Sequence, residues 1–422
     1  MIPRLCFTGL ALIAIISAMN LAADEWPQYR GPLGVGKSAE SIGELDWTRG
    51  RPKVLWKQPT PLGFSSFSIA GDRVFTLVAR PNKNGVVAQT CVAMNSDSGQ
   101  ELWGYSLNES DYGSGGGNAG ARGNKGGDGP RSTPTVDSNR VYVYDAQLQL
   151  VCLDASNGQL IWKRDVINEF SGRNIKWANA TSPVVDGNRV FVGGGGPGES
   201  MIALSKIDGS LIWKTGDELI THATPVITTL HGKKQLIYFM QSGIISVDPA
   251  TGDEFWRTEF PFRTSTAASP VVDGDLVYCS AGYGVGAGLF RIGSSMTVDN
   301  IWLKPNRLIN HWSTPVVHNG HLYGMFEFKK YGTGPLQCVE LGTGEIKWQK
   351  RGFGPGNCII VNEKIVAISD SGELVIAAAN PDEYRELARA KVLSGKCWST
   401  PAFSNGRIYI RSTEEGACVD VN

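Results

Sequence analysis

The sequence predicts an all-β chain. It reads as a closed, eight-bladed β-propeller of four-stranded antiparallel blades, the last blade completed by an N-terminal strand. Three observations carry that expectation. A motif of about 40 to 50 residues, opening on Ser/Thr-Pro and closing on an apolar pair with tryptophan, recurs along the chain. The 52 glycines and 12 tryptophans supply tight turns and flat packing anchors, a mix that suits strands better than helices. A strand missing from the last copy of the motif stands ahead of the first copy.

In chain order, residues 1–23 read as an export signal. Arg4 gives a positive start, "LCFTGLALIAIISA" an apolar stretch and "LAAD" a small-residue cleavage region. Cys6 lies inside the apolar stretch, without the small residues that precede a lipidated cysteine. The expectation is therefore a soluble exported protein, periplasmic or extracellular. Beyond the signal no apolar run approaches the roughly 20 residues that a membrane span needs. Residues 24–52 form a lead segment, and 53–422 the propeller.

Each copy, as in "ATSPVVDGNRVFVGG" followed by "SMIALSKIDGSLIWK", reads as four consecutive strands. Proline cannot donate a ladder hydrogen bond, so Ser/Thr-Pro belongs at the start of an inner edge strand facing a central channel. Asp-Gly at 186–187 and 273–274 and Asn-Gly at 319–320 suit tight hairpins. "RVFV", "RVYV" and "RIYI" are apolar at every other residue, with types that fit a pleated surface. A second glycine turn, at Gly158 and Gly209 among others, precedes the strand carrying tryptophan. The first-strand start recurs at Phe67-Ser68, Thr133-Pro134, Ser182-Pro183, Thr224-Pro225, Ser269-Pro270, Thr314-Pro315, Asn357-Cys358 and Thr400-Pro401, which makes eight copies. Tryptophan recurs at Trp103, Trp162, Trp213, Trp256, Trp302 and Trp348, and Leu387 is expected in that place in the seventh copy. The eighth copy lacks its fourth strand, and "KVLWK" from Lys53 supplies it, closing the ring. Residues 111–130, "DYGSGGGNAGARGNKGGDGP", form a surface insertion between the first two copies.

Lysine plus arginine and aspartate plus glutamate each total 40, so no long-range field draws nucleic acid. Cys91, Cys152, Cys338 and Cys418 are assigned one equivalent place, held elsewhere by Ala203 or Ser246. A position shared by Cys, Ala and Ser is a small buried slot. Spacing leaves pairing among Cys279, Cys358 and Cys397 open. No Cys-x-x-Cys-His, His-Glu-x-x-His or phosphate-loop motif occurs, and "GGGGPG" at 193–198 has no helix pattern after it.

The turn-and-tryptophan motif stands as "CLDASNGQLIWK", "SVDPATGDEFWR" and "CVELGTGEIKWQ". In this the chain resembles the pyrroloquinoline-quinone-like (PQQ-like) propeller repeat family, over nearly everything from Val54 to Val421. "WPQYRGPLGVGKS" and "RELARAKVLSGKCWSTPAFSNGRIYIR" resemble exported bacterial BamB-like members. The resemblance implies a binding or scaffold protein that recognises a protein partner or ligand at one channel face, and a monomer is expected. The motif marks blade packing, not quinone chemistry. A second reading is a PQQ-dependent dehydrogenase. The family's enzymes hold the quinone between a tryptophan and a disulfide of adjacent cysteines, with calcium on carboxylate and amide oxygens and an aspartate as base. Calcium takes six to eight oxygens, yet there is no Cys-Cys pair and no carboxylate just before "RSTP", "THATP", "NHWSTP" or "CWSTP". No cofactor and no catalytic or metal residue is therefore predicted; PQQ and calcium belong only to that alternative. A third reading is a small-molecule or glycan-binding propeller.

Seven of the tryptophans fill the fourth-strand position, Trp56 included, and Trp26 and Trp47 lie in the lead. Trp177, Trp312 and Trp398 are left over, each within six residues before the proline of a first strand. Repeat geometry gathers such loops at one end of the channel. Arg131, His222, Asn310 and His311 belong to the same loops, and these seven residues are the expected recognition surface. Packing between blade tops is an equal alternative for Trp312 and Trp398. His222 and His311, with no carboxylate partner in view, read first as hydrogen-bonded structural residues. His318 and His321 flank a hairpin turn and are expected to be solvated.

Overall fold

The computed structural model describes residues 25–45, 47, 52–112, 129–327 and 334–422. The expected export signal and most of the glycine-rich insertion lie outside them. Among the described residues, eight sheets form the blades: 68–109, 135–165, 184–215, 226–259, 271–305, 316–350, 357–391, and 402–420 joined by 53–59. Each blade is an antiparallel four-stranded meander, the first strand innermost. Lys53–Pro59 pairs antiparallel with Glu415–Asp420, so the N-terminal strand completes blade 8 as expected.

The outer strands explain the tryptophan motif. In blade 3, Ala203 faces Trp213 and Leu204 faces Leu211, which leaves Ile212 as a β-bulge. A bulge bends its strand and re-aims the next side chain. The Trp213 indole then reaches the neighbouring blade, where Nε1 donates to the Pro249 carbonyl at 3.1 Å. Trp56, Trp103, Trp162, Trp302 and Trp348 make the same clasp on Ser96, Ala155, Lys206, Leu341 and Asn380. Trp256 instead donates to Gln235 Oε1 of its own blade. The glycine turn belongs to this clasp. Gly209 has φ 72°, and a Cβ on it would lie 2.8 Å from the Trp162 ring. The bulge also accounts for the exposed Leu102, Ile161, Ile212 and Ile301, each the residue before a clasping tryptophan.

Several expectations need correction. In blade 7 the register sets Ala388 opposite Ile376, so Ala388 holds the tryptophan place and Leu387 is the bulge. The physical reason lies in blade 8, whose outer strand arrives from elsewhere in the chain and leaves no turn there to clasp. Cys91 pairs with Tyr105, two residues before the slot, which Ala93 fills opposite Trp103. Leu289 and Ile376 occupy the slot in blades 5 and 7, so it is not always small. The first copy begins one residue earlier, at Ser66-Phe67, because Ser66 makes the blade-to-blade bond described below. Cys279, Cys358 and Cys397 are free thiols, buried in three different core clusters, and cannot pair. His318 is buried against Glu363 of blade 7 rather than solvated, while His321 is partly exposed.

The lead segment has a role its sequence did not suggest. Trp26 bridges to Ile69 in blade 1, and the Pro27 carbonyl accepts the Val136 amide of blade 2. The chain then crosses the channel. Buried Arg30 donates to the Thr314 and Pro315 carbonyls of blade 6, at 2.7 and 2.9 Å. Lys37–Ser38 adds parallel to the inner strand of blade 7, and the Gly43 amide bonds Val421 in blade 8. The lead thus plugs the channel and pins five blades, 1, 2, 6, 7 and 8.

Candidate functional site

The first-strand starts form a belt around the channel. In each of five interfaces a backbone amide donates to a hydroxyl of the next blade. The pairs are Thr400 to Ser66, Ser66 to Thr133, Thr133 to Ser182, Ser182 to Thr224 and Ser269 to Thr314, all at 2.9 to 3.0 Å. This is the physical content of Ser/Thr-Pro: the hydroxyl ties blade to blade while proline starts the edge strand. The acceptors at the other three interfaces, Ser269 Oγ, Asn357 Oδ1 and Thr400 Oγ1, are buried and carry no hydrogen bond.

Above the belt lies a cavity of about 330 Å³, walled by all eight blades and floored by Tyr29 of the lead. An aromatic row runs along one wall. Phe64 stacks on Trp398 at 4.7 Å, Trp398 on Trp312 at 4.1 Å, and His311 follows at 4.7 Å with Tyr283 edge-on at 5.1 Å. Trp312 Nε1 donates to the Pro355 carbonyl at 3.0 Å, which fixes the indole. Both alternatives for these tryptophans therefore hold geometrically: they pack on each other and they line the cavity. Trp398 is 7% exposed, and Trp312 is only partly buried.

Trp177 stands across the cavity on a tight turn. Trp177 and Ala178 have φ 68° and 61°, both left-handed, and such residues cost free energy unless their surroundings hold them. Arg131 Nη1 holds this turn by donating to the Trp177 carbonyl at 2.7 Å. His222 lies beside it, its Nε2 at 3.0 Å from the Lys176 carbonyl and its Nδ1 at 3.0 Å from Ser265 Oγ. Since a carbonyl only accepts, Nε2 carries the proton and Nδ1 accepts from the serine. Burial pushes the His222 pKa down to about 4, with the Arg131 charge adding. Burial likewise pushes His311 down to about 3, with His222 adding. Both imidazoles are neutral near pH 7.

Six of the seven expected residues thus line one cavity: Arg131, Trp177, His222, His311, Trp312 and Trp398. Asn310 does not. It is fully buried in the framework, accepting from the Tyr278 hydroxyl at 2.7 Å and donating to the Met325 carbonyl at 2.9 Å. Missed in the sequence were Tyr29, Phe64, Tyr283, Asn357 and Thr400. The last two sit in the repeat's own Ser/Thr-Pro place and look like framework; Tyr29 belongs to "WPQYRGP", whose crossing no periodicity signals.

A calcium–quinone pair does not fit this donor set. Among the described residues no carboxylate lines the cavity and no group of three His, Cys, Asp or Glu is suited to a metal, and the sequence has no adjacent cysteines. Nor, among those residues, is any helix long and apolar enough to cross a membrane.

Solved structures share the fold. The quinohemoprotein alcohol dehydrogenase of Comamonas testosteroni matches with TM-score 0.66 at 10% identity, over 95% of this chain and 81% of that one. The quinohemoprotein alcohol dehydrogenase ADHIIG of Pseudomonas putida HK5 matches with TM-score 0.64 at 12% identity, over 94% and 80%. At these identities the likeness concerns architecture alone. Among curated proteins, the outer membrane protein assembly factor BamB of Moranella endobia (strain PCIT) is 24% identical over 260 residues, 58% of this chain. The match spans 63% of that relative's length. The family model described as outer membrane protein assembly factor BamB matches residues 83–350, well over half of the chain. This eight-bladed chain therefore belongs to the BamB family of PQQ-like propellers.

Proposed function

We propose that the protein is an exported binding module, without catalysis of its own, whose channel mouth receives a small ligand or a projecting group of a partner. The observation that carries this reading is the aromatic row of Phe64, Trp398, Trp312, His311 and Tyr283 beside a cavity of about 330 Å³ with no carboxylate among its described lining residues. Ligand pockets of roughly 300–1,000 Å³ are mostly apolar with a few placed polar groups, and this one has that make-up. The residues around it are poor in catalytic means. Its two imidazoles are held neutral, and His222 lies between a carbonyl and a serine hydroxyl rather than against a carboxylate that would turn it into a strong base. Scaffold function fits the family name, and export fits the N-terminal pattern of Arg4 and the apolar stretch after it.

The reading is tested by thermal shift against a panel of neutral and acidic saccharides, aromatic acids, quaternary ammonium compounds, short peptides, and PQQ with calcium. Wild type and Trp312→Ala are run side by side. At least one class should raise the wild-type midpoint saturably and leave the variant unmoved. Hits that shift both proteins equally, or none at all, would count against the channel mouth as the binding surface.

A further inference from the structure

Granting the channel mouth as a binding surface, we infer that its ligand is a neutral saccharide, held with ring hydroxyls on Asn357 and Thr400 and its carbon face on the aromatic wall. This rests on the proposed function and names the ligand class for it.

The argument begins with two oxygens. Asn357 is 1% exposed and Thr400 is 3% exposed; both line the cavity, on adjoining blades 7 and 8. Asn357 Nδ2 donates to the Trp398 carbonyl at 3.0 Å, which fixes the amide and leaves Oδ1 as its remaining acceptor. That Oδ1 and Thr400 Oγ1 have no hydrogen-bond partner. A buried polar group left unpaired costs about 1–3 kcal/mol, and native proteins leave few such groups without a reason. Here the repeat itself supplied a solution five times, with an amide on the hydroxyl, and departs from it at these two cavity-lining positions. Unpaired groups on two adjoining blades, an amide oxygen and a hydroxyl, ask for a guest with more than one hydroxyl.

Charge narrows the guest. Lys396 Nζ lies 4.6 Å from the Trp398 ring centroid and Lys176 Nζ 4.7 Å from that of Trp177, so cations already occupy those rings. With Arg131 and no carboxylate on the wall among the described residues, a cationic guest would meet repulsion. An anion would find the Arg131 guanidinium engaged with the Trp177 carbonyl, the unpaired Asn357 oxygen repelling it and two imidazoles that burial keeps neutral. A neutral donor-rich molecule meets neither penalty.

Shape completes the class. Partly buried Phe64, Trp312 and Tyr29 offer ring surface, and an aromatic ring presents a negative face that favours weakly positive C–H groups. A flat body with C–H groups on its faces and vicinal hydroxyls at its edge is a pyranose. The cavity, near the small end of the usual range, holds a sugar unit rather than a folded loop.

The test uses the mature chain on an array of neutral and acidic mono- to tetrasaccharides, then calorimetric titration with glucose, N-acetylglucosamine and the best neutral array ligand. Saturable binding of a neutral saccharide is expected, abolished in Trp312→Ala and weakened roughly three- to tenfold in Thr400→Val. The unliganded thermal midpoint of Thr400→Val should equal or exceed that of wild type, because removing a buried hydroxyl that bonds nothing relieves its desolvation cost. That combination separates a ligand contact from a structural role. If no neutral saccharide binds, or if Thr400→Val binds as tightly as wild type, the saccharide assignment falls. A Trp312-dependent ligand of another class would then leave the channel-mouth reading standing, whereas no Trp312-dependent ligand of any class would take both down.

Discussion

At the scale of single residues, the site is built from side chains held in one state by burial. His222 makes this measurable. Its pKa is near 4 in the fold against about 6.5 unfolded, so the unfolded chain binds the proton more readily. His222 therefore favours the fold fully above pH 6.5, and that contribution is lost as pH falls towards 4, by about 3 kcal/mol. Asp145 opposes it. Burial raises its pKa to about 6, so acidification favours the folded state by a similar amount, about 3 kcal/mol. The wild-type profile alone would mix the two, and the comparison with His222→Gln isolates one. Between pH 7 and 4.5 the variant should lose about 2–3 kcal/mol less stability than wild type in denaturant titrations; equal losses would mean the imidazole is not held neutral. At this scale the sequence was partly legible. Subtracting the repeat left Trp177, Trp312 and Trp398, which do meet at one cavity. Asn310 was misplaced because its loop position resembles theirs, and only the Tyr278 and Met325 bonds reveal its inward turn. Asn357 and Thr400 were invisible for the converse reason, since their repeat position hides what distinguishes them.

At the scale of the element, the working unit is the clasp between a bulged outer strand and the next blade's turn. Its glycine meets two demands together, a left-handed φ and contact with the preceding indole. Gly209→Ala should therefore cost more than Gly187→Ala. Both have positive φ, but a Cβ at Gly187 meets nothing within 4 Å, whereas at Gly209 it meets Trp162 at 2.8 Å. Strain alone predicts about 1 kcal/mol for Gly187→Ala. Overpacking adds about 1–3 kcal/mol at Gly209. Denaturant midpoints of the two variants decide it, and similar losses would mean the clasp yields freely. Strand order, blade count and ring closure were readable because alternation and turn chemistry are local. The bulge was not, since one unpaired residue leaves the pattern of apolar residues intact and shifts only the register; hence the pattern points to Leu387 where the register sets Ala388.

At the scale of the whole molecule, the ring is closed twice, by Lys53–Pro59 in blade 8 and by the lead across the channel. The second closure could not be read from the sequence, because it rests on a few long-range polar contacts rather than a repeating pattern. Arg30 is its pin: burial lowers its pKa, and carbonyls of blade 6 and of Val35 receive its donors. Arg30→Ala strands those carbonyls at about 1–3 kcal/mol and should make residues 25–45 cleavable by protease while the blades stay resistant. A lead that remains uncut would show that the crossing is held by other contacts. Tyr29, next to the pin, is also the floor of the cavity. The molecule is consequently a cup and not a pipe: whatever enters must leave by the same rim, a polymer cannot be threaded through, and only its tip or a protruding branch can be grasped.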